Sequence, residues 1–184
     1  MKDYEIYNLN FDGTYLDAVS LVDFPAMQDV FLMFKEDEVI LRLSIESEEK
    51  QEVLGVLIRA NFPILRKENK AIKQPHYVQF SEEVIQKVLE SNIYNLPITI
   101  EHNFNEVVEG AKLKEVFIIN RTLGIDPIPF KHISDGSLIG RYKITNKDLW
   151  QRIKLGEVKG FSLEGKFNYE PKFDLIQEIL NLYK

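Results

Sequence analysis

One serine, one histidine and two glutamates have the types and settings from which acyl-transfer chemistry is built. They are Ser162 in "GEVKGFSLEGKF" (156–167), His102 in "ITIEHN", Glu115 in "LKEVFIIN", and Glu164 two residues beyond the serine. A serine hydroxyl becomes a nucleophile when a histidine takes its proton and a third group orients that histidine. Around Ser162, strand alternation puts Phe161, Leu163 and Phe167 towards the core and Ser162, Glu164 and Lys166 on the other face. A serine so placed is either an inert outer-face residue or a nucleophile on a rigid platform, and the local pattern favours the first. The nucleophile elbow of α/β hydrolases is excluded, because that motif needs glycine where Glu164 stands and a helix where this strand continues. Gly160 and Gly165 leave room for a substrate backbone beside Ser162.

The chain has three histidines, His76, His102 and His132. His102 ends a strand in which Ile98 and Ile100 share its side by alternation, whereas His76 and His132 have the settings of surface residues. Their separations of 26 and 30 residues match no compact ligand motif. No metal and no cofactor is expected, and a metal-dependent nuclease is a distant reading. Alternation also puts Glu115 on one face with Leu113, Phe117 and Ile119, where a carboxylate is costly to bury without a partner. His102 is one short reversal away, so Glu115 is the first choice for its orienting group. Glu164 is the runner-up, with substrate binding or pairing to Lys166 as its other uses.

These residues need elements to hold them. The chain is 184 residues long, 45% apolar and 28% charged, the composition of one globular domain spanning 1–184. "SEEVIQKVLESN" predicts a helix capped by Ser81, with Val84, Ile85, Val88 and Leu89 as its stripe. "NKDLWQRIKLG" predicts another, capped by Asn146 and stopped at Gly156, with Leu149, Trp150 and Ile153 inward. "KFDLIQEILNLYK" predicts a third, and the segment 170–184 docks on the core or on a partner. "VILRLSI", "VLGVLIRANFPILRK", "LPITIEH", "AKLKEVFIIN", "SLIGRYKIT" and "EVKGFSLEGKF" read as strands, and 124–136 as a long Pro-containing loop. The expected class is a β-rich α+β domain, a compact β-barrel with surrounding helices.

A net charge of −6 argues against nucleic-acid binding, and the absence of cysteine fits a reducing cytoplasm and excludes thiol chemistry. The first ten residues are too polar for a signal peptide, and no apolar run approaches the roughly 20 residues of a membrane span.

The motifs also occur in a recognisable order. "LVDFPAM", "GVLIRANFPILRK", "YVQFSEEVI", "IEHN" with "EGAKLKEVFII", and "LWQRIKLGEVKGFSLEG" together resemble the phage prohead (capsid maturation) serine proteases, relatives of the herpesvirus assembly proteases. The resemblance covers roughly residues 16 to 168, and "GEVKGFSLEG" is its most specific part. It implies a herpesvirus-protease-like barrel and a serine endopeptidase inside the immature capsid, in the host cytoplasm. The implied substrates are the phage scaffold and major capsid proteins, and self-association is open. It puts the nucleophile on Ser162 and the general base on His102. The herpesvirus pattern uses a second histidine after the serine; none follows Ser162 here, so a carboxylate, Glu115 or Glu164, must fill that role. The competing expectation is a non-catalytic head-assembly protein that retains the fold.

Overall fold

The computed structural model describes residues 5–12, 16–23, 44–47, 50–69 and 72–171. The helix expected near the C-terminus, most of the strand expected at 39–45 and part of "LVDFPAM" lie outside them. Among the described residues, twelve strands and two α-helices run in the order β1 (Ile6–Asn10), β2 (Leu16–Val22), β3 (Ser44–Ser47), β4 (Glu52–Ile58), β5 (Ile64–Arg66), β6 (His76–Phe80), α1 (Glu82–Glu90), β7 (Ile98–Ile100), β8 (Asn103–Val107), β9 (Ala111–Ile118), β10 (Leu138–Ile144), α2 (Lys147–Lys154), β11 (Gly160–Gly165) and β12 (Asn168–Pro171). The fold is β-rich α+β.

The strands form three four-stranded sheets, ordered β12-β1-β6-β5, β3-β4-β10-β9 and β11-β2-β7-β8. The expected closed barrel is not formed: among the described residues no sheet returns to its own first strand. Two pairings are parallel, β1 with β6 and β2 with β7, and the rest are antiparallel. The long connections within those parallel pairs are what parallel neighbours require.

Both helices start as their sequences dictate. Ser81 Oγ accepts from the Val84 N–H at 3.3 Å, and Asn146 Oδ1 accepts from the Leu149 N–H at 3.0 Å. Each cap satisfies an N–H that has no partner within the helix. Val84, Ile85 and Val88 are buried on α1, and Leu149, Trp150 and Ile153 on α2. Gly156 ends the second helix at φ +72°, a conformation that glycine adopts without strain.

One apolar cluster joins the three sheets and both helices, with Leu9, Leu21, Val53, Ile85, Ile139, Trp150 and Phe161 among its members. The strand of interest, β11, enters it through Phe161, whose ring lies 4.3 Å from that of Tyr142 on β10. Burial raises the Tyr142 phenol above its usual pKa. Gly140 makes this contact possible, because a Cβ there would lie 2.7 Å from Tyr142 Cε2 and 3.0 Å from Leu57 Cδ1.

The loop at 124–136 is built rather than loose. Its own Phe130 and Ile133 are buried. Arg121 ion-pairs with Asp126 and Asp135 and donates to the backbone carbonyls of Lys131 and Ile133. His76 is not a surface residue: it is fully buried on β6, with its ring edge-on to Tyr7 and Tyr169 and Nδ1 2.9 Å from the Gln74 carbonyl.

Candidate active site

The geometry starts from the register of three strands. Ser162 on β11 lies opposite Ser20 on β2, which lies opposite Thr99 on β7. Residues directly opposite each other point to the same face, with Cβ atoms about 5 Å apart. The three hydroxyls therefore form a row across the sheet, with exposures of 8%, 0% and 0%. The neighbouring positions Phe161, Leu21 and Ile98 face the apolar cluster instead. Alternation thus separates Ser162 from Phe161 as expected, but the hydroxyl face is buried rather than open.

Glu164 shares the face of Ser162 and reaches back over this row. Its Oε1 accepts a short hydrogen bond from the Ser20 hydroxyl and lies 3.1 Å from His102 Nδ1. Ser20 Oγ in turn lies 2.5 Å from Thr99 Oγ1. A register shift follows Glu164, where Gly165 lies opposite Leu16 and Asp17 is the extra residue on β2. Bulges of this kind re-aim neighbouring side chains.

His102 is not at a strand end. It is the second residue of the two-residue turn Glu101–His102 between β7 and β8, with Ile100 opposite Asn103. Both turn residues have positive φ, +49° and +60°, as in a type I′ hairpin. Such φ values are uncommon outside glycine and mark a conformation held by its surroundings. Here the hold is Glu101, whose N–H donates to the Leu21 carbonyl at 3.0 Å and whose carboxylate accepts from the Asp23 N–H at 2.6 Å. Those bonds tie the turn to the end of β2. The Lys159 N–H, donating to the Val22 carbonyl at 2.9 Å, ties the start of β11 to the same place. The turn, β2 and β11 thus bring His102 and Glu164 together.

Glu115 does not join them. It lies on β9, in the sheet of β10, and its carboxylate accepts from Arg141 Nε at 2.9 Å. The register of β9 shifts between Leu113, opposite Tyr142, and Glu115, opposite Arg141, leaving Lys114 as an extra residue. That bulge interrupts the alternation. Leu113 and Val116 are buried, and Glu115 is turned to solvent with its side chain 53% exposed. The runner-up, Glu164, is the carboxylate beside His102.

A carboxylate at Nδ1 favours the ring tautomer that carries its proton there, so Nε2 presents its lone pair. The His102 side chain is 48% exposed and that of Glu164 15%. The arrangement is therefore an oriented imidazole, open to solvent, with the buried Ser162 on the same strand as Glu164 and two strands across the sheet from β7. Among the described residues Ser162 Oγ has no hydrogen-bond partner, so the serine–histidine contact of a closed triad is not made. Among the described residues no group of three His, Asp or Glu side chains is placed to hold a metal ion. No described helix is long and apolar enough to cross a membrane.

Ser20 and Thr99 are the residues that sequence reasoning missed. Their signal was a polar residue alternating with Val19 and Leu21, or with Ile98 and Ile100, inside runs that are otherwise apolar. Compared with protein-family models, with curated proteins and with solved structures, the chain finds no match in any of the three.

Proposed function

We propose that the chain is a serine endopeptidase of phage head morphogenesis that cleaves scaffold or capsid protein inside the immature head. The observation that carries this reading is the placement of Glu164 at His102 Nδ1, over the row that contains Ser162. The motif order described above supplies the biological setting. In this reading Ser162 Oγ attacks the scissile carbonyl as His102 Nε2 takes its proton. The tetrahedral intermediate collapses to an acyl-enzyme, and the imidazolium returns the proton to the leaving amine. Water, deprotonated by the same nitrogen, then releases the acyl group. Glu164 holds the tautomer and stabilises the imidazolium. The Ser162–His102 contact closes when the substrate is seated, as catalytic hydrogen bonds that are long in the free enzyme commonly do. The kinship with herpesvirus assembly proteases and their barrel belongs to the same proposal. It is supported by the β-rich α+β make-up and by the packing of β11 against β4 of the adjoining sheet.

The test is co-expression with the phage scaffold and major capsid proteins. The native chain is expected to yield truncated products, and Ser162→Ala none. Processing that persists in Ser162→Ala overturns the assignment. A second reading, a non-catalytic head-assembly protein with this fold, is favoured by the 8% exposure of Ser162 and by the absence, among the described residues, of a hydrogen bond between Ser162 and His102. It predicts that Ser162→Ala leaves both head assembly and protein sizes unchanged.

A further inference from the structure

The hydroxyls next to Ser162 have a direction. Ser20 has one proton, and it goes to Glu164 Oε1. The contact between Ser20 Oγ and Thr99 Oγ1 must then run from the Thr99 hydroxyl to the Ser20 oxygen. The carboxylate oxygen that faces His102 Nδ1 is therefore the end of a donor chain from β7 through β2 to β11. Ser20 and Thr99 are both fully buried, so water does not compete for these bonds. Glutamate is long and rotamer-rich, and an unheld one on a strand end has several places to put its carboxylate. Here the register of three strands aims it at one.

We propose that Ser20 and Thr99 are positioning residues that hold the Glu164 carboxylate against His102 Nδ1 and so set the tautomer of the catalytic histidine. They act through Glu164 and touch no substrate. The kinetic consequence rests on the protease reading; the structural consequence does not. Removing the Ser20 hydroxyl frees the carboxylate to swing from the imidazole. His102 then samples both tautomers, and the base competent for proton transfer is present for a smaller share of the time.

The test uses the full chain labelled with 13C and 15N in its three histidines, read by the ring-carbon shifts that distinguish the two neutral tautomers. The native protein is expected to show His102 with its proton on Nδ1. Ser20→Ala, a smaller residue that keeps the strand pairing, is expected to lose that preference. Thr99→Val is expected to weaken it, and Thr99→Ser, which keeps the hydroxyl, to retain it. An unchanged backbone spectrum establishes that each variant is folded. In a cleavage assay Ser20→Ala is expected to lower kcat by about 10- to 100-fold with KM unmoved, as for a lost hydrogen bond to a charged group. Identical His102 ring shifts in the native protein and folded Ser20→Ala overturn the proposal, even if Ser162 proves to be the nucleophile. A tautomer that responds to Ser20→Ala in a chain that cleaves nothing supports the positioning role and overturns the protease reading instead.

Discussion

At the scale of single residues, the two carboxylates offered as the orienting group of His102 have different surroundings. Glu164 stands between Ser20 and His102, whereas Glu115 pairs with Arg141 on a solvent-facing bulge. Glu164→Gln keeps the shape but loses the charge that steadies the imidazolium. Its cleavage rate is expected to fall on the order of a hundred- to ten-thousandfold, by analogy with the orienting carboxylate of serine-protease triads. Glu115→Gln is expected to leave the rate near the native value and to cost less than about 1 kcal/mol of stability, the range of exposed ion pairs. Parallel progress curves and denaturant melts separate the two; a rate loss in Glu115→Gln equal to that in Glu164→Gln contradicts the geometry. His132 offers a pH-dependent check. Burial, with a smaller contribution from the Arg59 charge, holds its imidazole below the usual value. The unfolded chain therefore takes up that proton first as the solution is acidified. Stability is expected to fall as pH drops from about 6.5 through the depressed value. His132→Gln is expected to flatten that part of a thermal-melt pH series.

At the scale of elements, two features place the site: the Glu101–His102 turn bound to the end of β2, and the anchorage of β11 by Phe161 against Tyr142. The second makes Gly140 critical. A methyl group there meets the Tyr142 ring at 2.7 Å and Leu57 at 3.0 Å, so Gly140→Ala is expected to cost about 1–3 kcal/mol, the usual cost of overpacking. A lowered urea midpoint with an unchanged slope is the expected readout. The loop after β9 gives a charge-based counterpart. The Arg121 backbone N–H, helped by its guanidinium, holds the Asp135 carboxyl below the usual aspartate value. The stability this contributes is present above the ordinary carboxylate range and lost as pH falls through the depressed value. Asp135→Asn is expected to be less stable than the native chain at neutral pH, with the difference closing in acid.

At the scale of the whole molecule, what was legible followed from local chemistry. The caps at Ser81 and Asn146, the Gly156 stop and the strand character of β4, β7, β9, β10 and β11 are written in neighbouring residues, and the structure has them all. What was not legible depends on pairings between distant segments. The parallel pairing of β2 with β7 aligns Ser20 with Thr99, residues 79 positions apart, and no local pattern announces it. One extra residue at Lys114 reversed the facing of Glu115, because side-chain direction in a strand has a period of two. The turn at His102 is hidden in the sequence because "EHN" lacks the glycine that usually marks a two-residue hairpin turn. Register within the single sheet β11-β2-β7-β8 then brings the serine row, the turn and Glu164 to one place.

Covalent labelling decides whether Ser162 is a nucleophile activated by His102. The purified full chain is treated with a fluorophosphonate, digested, and mapped by mass spectrometry. A phosphonyl adduct is expected on the peptide containing Ser162, strongly reduced in His102→Ala. A preparation that processes scaffold yet carries no adduct on Ser162, or one labelled equally without His102, contradicts that assignment.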